Sequence, residues 1–376
     1  MSQVNAFLPA YQVTAEGKDI TATLQRCSAE LTLTDYGGAT AKSDELTISL
    51  HSETLPLPSK GARLRVAIGF LGQLVDKGEF VVCRVSSSGP PRRIDLYATA
   101  APMNAQKQSG NVLNQKTRSW DNLSLGDLVK TVATENGLIA RVAEKLAGIP
   151  LSHVDQVAES DANLLSRLAR TYNAVSKPAG GYWLFLPQGA GSTVSGHALN
   201  PVTLTPSVVS TWHYHEGDRG SSTGGTRGMG REKKPHQETI TARYFDKADG
   251  RTKTVSVAHE GASVTNPYTQ PEKDTAEQQA KSKKTHAQRN SQKMTLTGPC
   301  QPEHVILTAE YPVTTSGFGG REDRSWLVES LVFSLSESGL SYTLNLVVNL
   351  NAPSLSRSVA SSSNEKHPDY FGVPKG

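Results

Sequence analysis

The sequence predicts a mainly β, α+β protein: two antiparallel β-barrels with a small mixed α/β domain inserted between them. Three observations carry this reading. Short stretches with period-two alternation fill residues 19–101 and resume at Glu238. Two stretches of helical spacing interrupt them in the middle of the chain. A hairpin pattern from the first β region then recurs near the other end.

The first domain, residues 1–101, is read from Glu30-Leu31-Thr32-Leu33-Thr34, Glu45-Leu46-Thr47-Ile48-Ser49-Leu50 and Arg63-Leu64-Arg65-Val66-Ala67-Ile68. Each alternates apolar with polar residues, so each strand has one face for a core. Tyr36-Gly37-Gly38, Pro56-Leu57-Pro58, Lys77-Gly78 and Gly89-Pro90-Pro91 supply the turns. In the inserted domain, residues 102–200, Ser124 is placed to cap a helix with Asp127 three residues on. Leu125, Leu128, Val129, Val132 and Ala133 then share one face as far as Gly137. A second helix starts at Ser160, with Leu164, Leu165, Leu168, Ala169 and Tyr172 on its apolar side. Tyr182-Trp183-Leu184-Phe185-Leu186 reads as a buried strand.

The second β domain, residues 201–350, contains a glycine-rich mobile loop at 217–237 and a helix at 271–293, where Ala276, Ala280 and Ala287 let the helix lie close to a sheet. Residues 351–376 form an extended tail. Its repeat of the first barrel lies in Ser325–Ser334, Gly339 and Tyr342–Leu346. These match Gly78–Ser86, Gly89 and Ile94–Leu96 in strand length and turn.

Composition narrows the function classes. A chain of 376 residues exceeds one ordinary core, and 36% apolar with 20% charged residues suits a soluble multi-domain protein. A net charge of +4, spread along the chain, does not suggest specific nucleic-acid binding. Cys27, Cys83 and Cys300 are far apart, so neither a disulfide framework nor a zinc ribbon is implied. Residues 1–10 show no secretion signal, and no window is apolar enough to insert in a membrane. Assembly in a reducing cytoplasm is expected.

Sites of catalysis are likewise not evident. His213-Tyr214-His215 puts two imidazoles on one strand face beside Glu216, but a third ligand is missing. Those histidines are read as facing a subunit boundary or solvent. The Gly220–Gly230 stretch lacks the Lys-Ser/Thr ending of a phosphate loop. Glu159 and Asp161 open a helix, where acids favour the macrodipole without a catalytic role. No cofactor, metal or catalytic residue is expected, and the chain is read as not an enzyme.

Several stretches resemble the phage late-control D family of tail hub proteins, from Pro9 to about Leu350. They are Gly17-Lys18-Asp19-Ile20-Thr21, Leu31-Thr32-Leu33-Thr34-Asp35, Ser43-Asp44-Glu45-Leu46, Leu57-Pro58 with Gly61, and Gly89-Pro90-Pro91. In the middle they are Arg118-Ser119-Trp120, Ser124-Leu125-Gly126-Asp127, Gly137-Leu138 and Gln156–Asp161 before Leu164–Ala169. The order and spacing carry the resemblance rather than any one motif. It implies a baseplate hub with two tube-protein-like barrels, so that a homotrimer presents six to a hexameric tail tube above and a trimeric spike below. The same hub forms the N-terminal half of VgrG spike proteins. Residues 351–376 are too few for a spike, so a separate spike protein is expected as partner, with tail tube, tape-measure and other baseplate proteins.

A phage tail, a tail-like bacteriocin and another contractile injection system would each use such a part in the virion or particle. Alternatives are a hub that also cuts peptidoglycan and a transcriptional regulator, although no glycan cleft or basic recognition helix is evident. Within the tail, Tyr370 and Phe371 are the expected partner-binding residues, because large rings dominate interface energetics. Trp120 and Trp326 are expected in the core, and Arg118 and Arg167 are expected to brace the middle domain against a barrel.

Overall fold

The computed structural model describes residues 7–38, 42–101, 111–192, 198–217, 239–259 and 263–352. Most of the expected glycine-rich loop, and Tyr370 and Phe371, lie outside the described residues. The N-terminal segment contains β1 (Pro9–Ala15), β2 (Lys18–Asp19), α1 (Thr21–Arg26), β3 (Glu30–Tyr36), β4 (Glu45–His51), β5 (Arg63–Phe70), β6 (Gln73–Ser88) and β7 (Arg93–Thr99). Their alternation does what the sequence requires. Leu31, Leu33, Leu46, Ile48, Leu64, Val66, Phe80, Ile94 and Leu96 point to one side and are buried.

The middle segment runs β8 (Gln115–Ser124), α2 (Leu125–Glu135), β9 (Ile139–Val142), α3 (Glu144–Ala147), β10 (Pro150–Ser160), α4 (Asp161–Tyr172), β11 (Ala174–Ala179) and β12 (Tyr182–Pro187). Ser124 caps α2 by accepting from the Asp127 N–H at 3.1 Å, and Ser160 caps α4 through Asn163 at 3.3 Å. α4 ends at Asn173, whose φ of 51° turns the chain out of the helix. Leu125, Leu128, Val129, Val132, Leu164, Leu165 and Leu168 pack with Trp183 and Phe185 into a core of their own. Only Trp183 and Phe185 of the stretch Tyr182–Leu186 are buried; the alternate residues are half-buried, because β12 has the helices on one face only.

The last segment has β13 (Val202–Leu204), β14 (Thr211–Glu216), β15 (Thr239–Asp246), β16 (Arg251–Ala258), β17 (Val264–Gln270), α5 (Lys273–Asn290), β18 (Gln292–Pro299), β19 (Pro312–Thr315), β20 (Ser325–Ser336) and β21 (Gly339–Val348). β15, β16 and β17 form a separate three-stranded sheet. Ala276 and Ala280 of α5 are fully buried against Ile240, Ala242 and Tyr244 of that sheet, as small residues at helical spacing allow. Ala287 is only half-buried.

The remaining strands of the first and last segments join one 13-stranded sheet. Its main path is β14-β18-β21-β20-β3-β4-β7-β6-β5-β1-β2, with β19 and then β13 branching from β20. One contiguous apolar core backs it, from Val13 and Leu31 through Phe80 to Trp326, Phe333, Tyr342 and Leu344. Each buried Leu or Phe side chain contributes roughly 1.5–3 kcal/mol from apolar burial.

The repeated hairpin is visible in the pairing. β3-β4-β7-β6-β5-β1 and β14-β18-β21-β20-β19-β13 have the same neighbour order and the same order along the chain. They differ in the last pair, antiparallel for β1 with β5 and parallel for β13 with β19. The likeness extends to an irregularity. β6 is out of register with β7 between Val82 and Arg84, and β20 with β21 between Val328 and Ser330, so Cys83 and Glu329 occupy matching bulges.

Candidate assembly interface

Three features could serve assembly: the polar face of the large sheet, its open edges, and the joint that fixes the middle segment to it. The polar face follows from the alternation that builds the core. Opposite the buried residues stand Thr32, Thr34, Thr47, Ser49, Asp95, Tyr97, Thr295, Thr297, Thr343 and Asn345. They bond across strands. Thr295 donates to Asn345 Oδ1 at 3.0 Å, Asn345 donates to Ser330 at 3.0 Å, and Ser49 donates to Asp95 at 2.6 Å. The Ser49 hydroxyl, opposed by burial and helped by Arg93, holds the Asp95 carboxyl below its ordinary value. Most of these side chains are half-buried and bonded to one another, so the face is polar and offers little to retain an apolar ligand.

Several strand edges lack a backbone partner among the described residues, and two of them have covered counterparts in the other six-strand unit. One is β14, which pairs only with β18. The other is the second half of β6. β5 covers it as far as Val81, and Gly61 and Ala62 bond Val82, but Arg84–Ser88 pair only with β7. β20 shows what such an edge can do. Its first residues pair with β19, and beyond the bulge Ser330–Leu335 pair with β3.

The joint is a buried ionic cluster. Lys177 of β11 donates to Asp35 of β3 at 2.5 Å and to Asp44 at 3.1 Å, all three side chains being nearly inaccessible. Burial opposes the Asp35 charge, but the Lys177 ammonium and the Ala309 N–H bring the carboxyl below its ordinary value. Burial, with Asp35 close by, pushes Asp44 up to about 7 against the pull of Lys177. Burial disfavours the Lys177 charge too, yet the two carboxylates raise its pKa.

Beside this cluster, buried Glu310 accepts from Gly38 at 2.7 Å and Gly189 at 2.8 Å, and burial raises its pKa. A Cβ on Gly37 would lie 2.8 Å from its Oε1 and 3.1 Å from the Glu329 carbonyl oxygen, so a side chain there would displace the Glu310 carboxylate from these bonds. Lys77 donates to Val305 and Leu307 carbonyls at 2.5 and 3.0 Å, and burial pulls its pKa down to about 8. First, middle and last segments are thus tied by groups from all three.

Trp326 is fully buried and donates to Thr315 at 2.8 Å, whereas Trp120 is partly buried beneath the Arg118 guanidinium, 4.3 Å from the ring centroid. Arg118 and Arg167 do not brace a barrel. Arg118 pairs with Glu135 and Asp161, and Arg167 with Glu159, all inside the middle segment, because β8, β10 and α4 place those acids within reach. Asp161 is buried, and Lys116, Asn136 and Gln156 also donate to it. Among the described residues, no three His, Cys, Asp or Glu side chains gather as a metal site. His213 and His215 are exposed on the open β14 edge. The sequence reading missed Lys177 and Glu310; Asp35 and Asp44 stood within stretches that carried the family resemblance.

The chain has the fold of tail proteins. A tail protein from Neisseria meningitidis MC58 superposes with a TM-score of 0.64 at 14% identity, over 91% of this chain and 97% of that one. The chain belongs to the phage tail baseplate hub (GPD) family, whose sequence model matches residues 112–339. A probable baseplate hub protein of Escherichia phage 186 is 28% identical over 371 residues, covering 91% of this chain and 94% of its own length. That of Escherichia phage P2 is 38% identical over 221 residues, covering 58% of this chain and 55% of its own length. The protein is a structural baseplate component of the virion tail, associated with other tail and baseplate parts. No helix among the described residues is long and apolar enough to cross a membrane.

Proposed function

We propose that the chain is a homotrimeric adaptor between a hexameric tail tube and a trimeric spike, with no enzymatic activity. The observation that carries this is the duplicated strand order. Two equivalent six-strand units per chain give six in a trimer, so one face can meet sixfold symmetry while the chain count remains three. In this reading residues 1–101 and 201–350 supply the two units, residues 102–200 the inserted domain, and residues 351–376 a tail that reaches a neighbour or the spike through Tyr370 and Phe371.

The polar face of the sheet suits the lining of a passage, since polar side chains bonded to one another offer no adhesive patch to a polymer moving past. The test is the mass of the full-length protein by light scattering, alone and with the candidate spike protein. A trimer, or a three-to-three complex, is expected. A monomer indifferent to the spike refutes the adaptor.

A further inference from the structure

The strand duplication predicts where one copy meets the next. Within the chain, the edge of β20 beyond its bulge pairs with β3. The counterpart of β20 is β6 and the counterpart of β3 is β14. Both counterpart edges are open among the described residues, so one chain contains the junction once, complete, and the two halves of a second such junction unjoined.

We infer that the β6 edge over Arg84–Ser88 pairs antiparallel with the β14 edge of a second copy, repeating the β20–β3 junction between subunits. This rests on the trimeric reading and adds which strands meet and in what register. The register comes from the ladders. Val82 and Leu46 flank Ala98 as Val328 and Met294 flank Leu346. Leu33 lies opposite Leu46, and Tyr214 opposite Met294, so Tyr214 takes the place of Leu33.

Counting past the bulges, Val85, Ser86 and Ser87 replace Leu331, Val332 and Phe333, which pair with Asp35, Thr34 and Leu33. Val85 therefore faces Glu216, Ser86 faces His215 and Ser87 faces Tyr214. The side chains fit this exchange. Inside the chain a large Phe333 meets a medium Leu33, whereas between copies a small Ser87 meets a large Tyr214. Lysine, proline and glycine are absent from Arg84–Ser88 and from Thr211–Glu216, and the charges these edges carry, Arg84 on one and Glu216 on the other, are opposite in sign and so do not keep them apart.

The test uses the full-length chain carrying Ser86→Cys and His215→Cys, with Cys27 and Cys83 changed to serine, oxidised and run without reductant. Directly opposed residues have Cα atoms about 4.5–5.5 Å apart, within disulfide reach. Covalent dimers and trimers, and nothing larger, are expected. The pair Ser86→Cys with Trp212→Cys, three residues out of register, should not link. Mixing the two single variants should stop at dimers. A trimer by light scattering in which the matched pair fails to link, or links no better than the offset pair, overturns the strand assignment and leaves the adaptor standing. A monomer in scattering that yields no links overturns both.

Discussion

Replacing Lys177 by methionine tests whether the buried cluster holds the middle segment to the sheet. The substitution preserves most of the side-chain volume and removes the ammonium that lies 2.5 Å from Asp35 and 3.1 Å from Asp44. Asp44, pushed up to about 7, can take a proton near neutrality, so the main loss is the pair with Asp35, whose charge is left buried. Breaking a buried pair from one side costs about 3–5 kcal/mol, and that is the expected destabilisation. Urea unfolding of the full chain at pH 7, followed by tryptophan fluorescence and circular dichroism, reads it as a lower midpoint. Adding Asp35→Asn to Lys177→Met should recover about half or more, because the orphaned charge is gone. A Lys177→Met loss below about 1 kcal/mol, or no recovery in the double variant, would refute the argument.

Asp44→Asn should change the pH dependence of stability. Its folded pKa is raised, so its contribution is full below the unfolded value of roughly 4 and is lost as pH rises through about 7. Wild type should lose roughly 1–3 kcal/mol between pH 5 and pH 8 from this group, and the Asn variant should lose less, as read by urea midpoints across that range. Asp161→Ala strips the shared acceptor from Lys116, Arg118, Asn136 and Gln156; thermal melting should show a loss of about 3–5 kcal/mol. Trp326→Phe leaves Thr315 without its indole donor and a void beside it, and should cost about 1–3 kcal/mol by the same assay. Truncation after Leu350 should reduce spike capture in co-purification, and unchanged capture would remove Tyr370 and Phe371 as the anchor.

Much of the fold was legible because it rests on local pattern. Period-two runs such as Glu30–Thr34 and capping residues such as Ser124 and Ser160 dictate their elements whatever lies around them. The hairpin repeat was legible for the same reason, as two amphipathic strands of equal length beside a similar turn. The pairing of β3 with β20 was not, since an amphipathic strand advertises its buried face but not which neighbour takes its edge. Lys177 was invisible for a different reason. A lysine in a strand ordinarily marks solvent, and only the arrival of Asp35 and Asp44 from another segment makes its burial tolerable. Arg118 misled in the opposite direction, because its partners Glu135 and Asp161 come from nearby helices rather than from a distant domain.

The seam between β3 and β20 also sets the order in which the molecule can be completed. Tyr36 lies opposite Ser330, about 300 residues later, and most of the chain must be synthesised before β3 meets its partner strand. Until then β3 presents its backbone to any passing edge, while the middle segment, whose contacts are mostly within residues 101–185, can already have folded. Long-range closure of this kind makes folding slow, and the last hairpin is the piece that ends the wait. A nascent or C-terminally clipped chain therefore carries one more open edge than the intact protein, because β3 is covered only when β20 arrives.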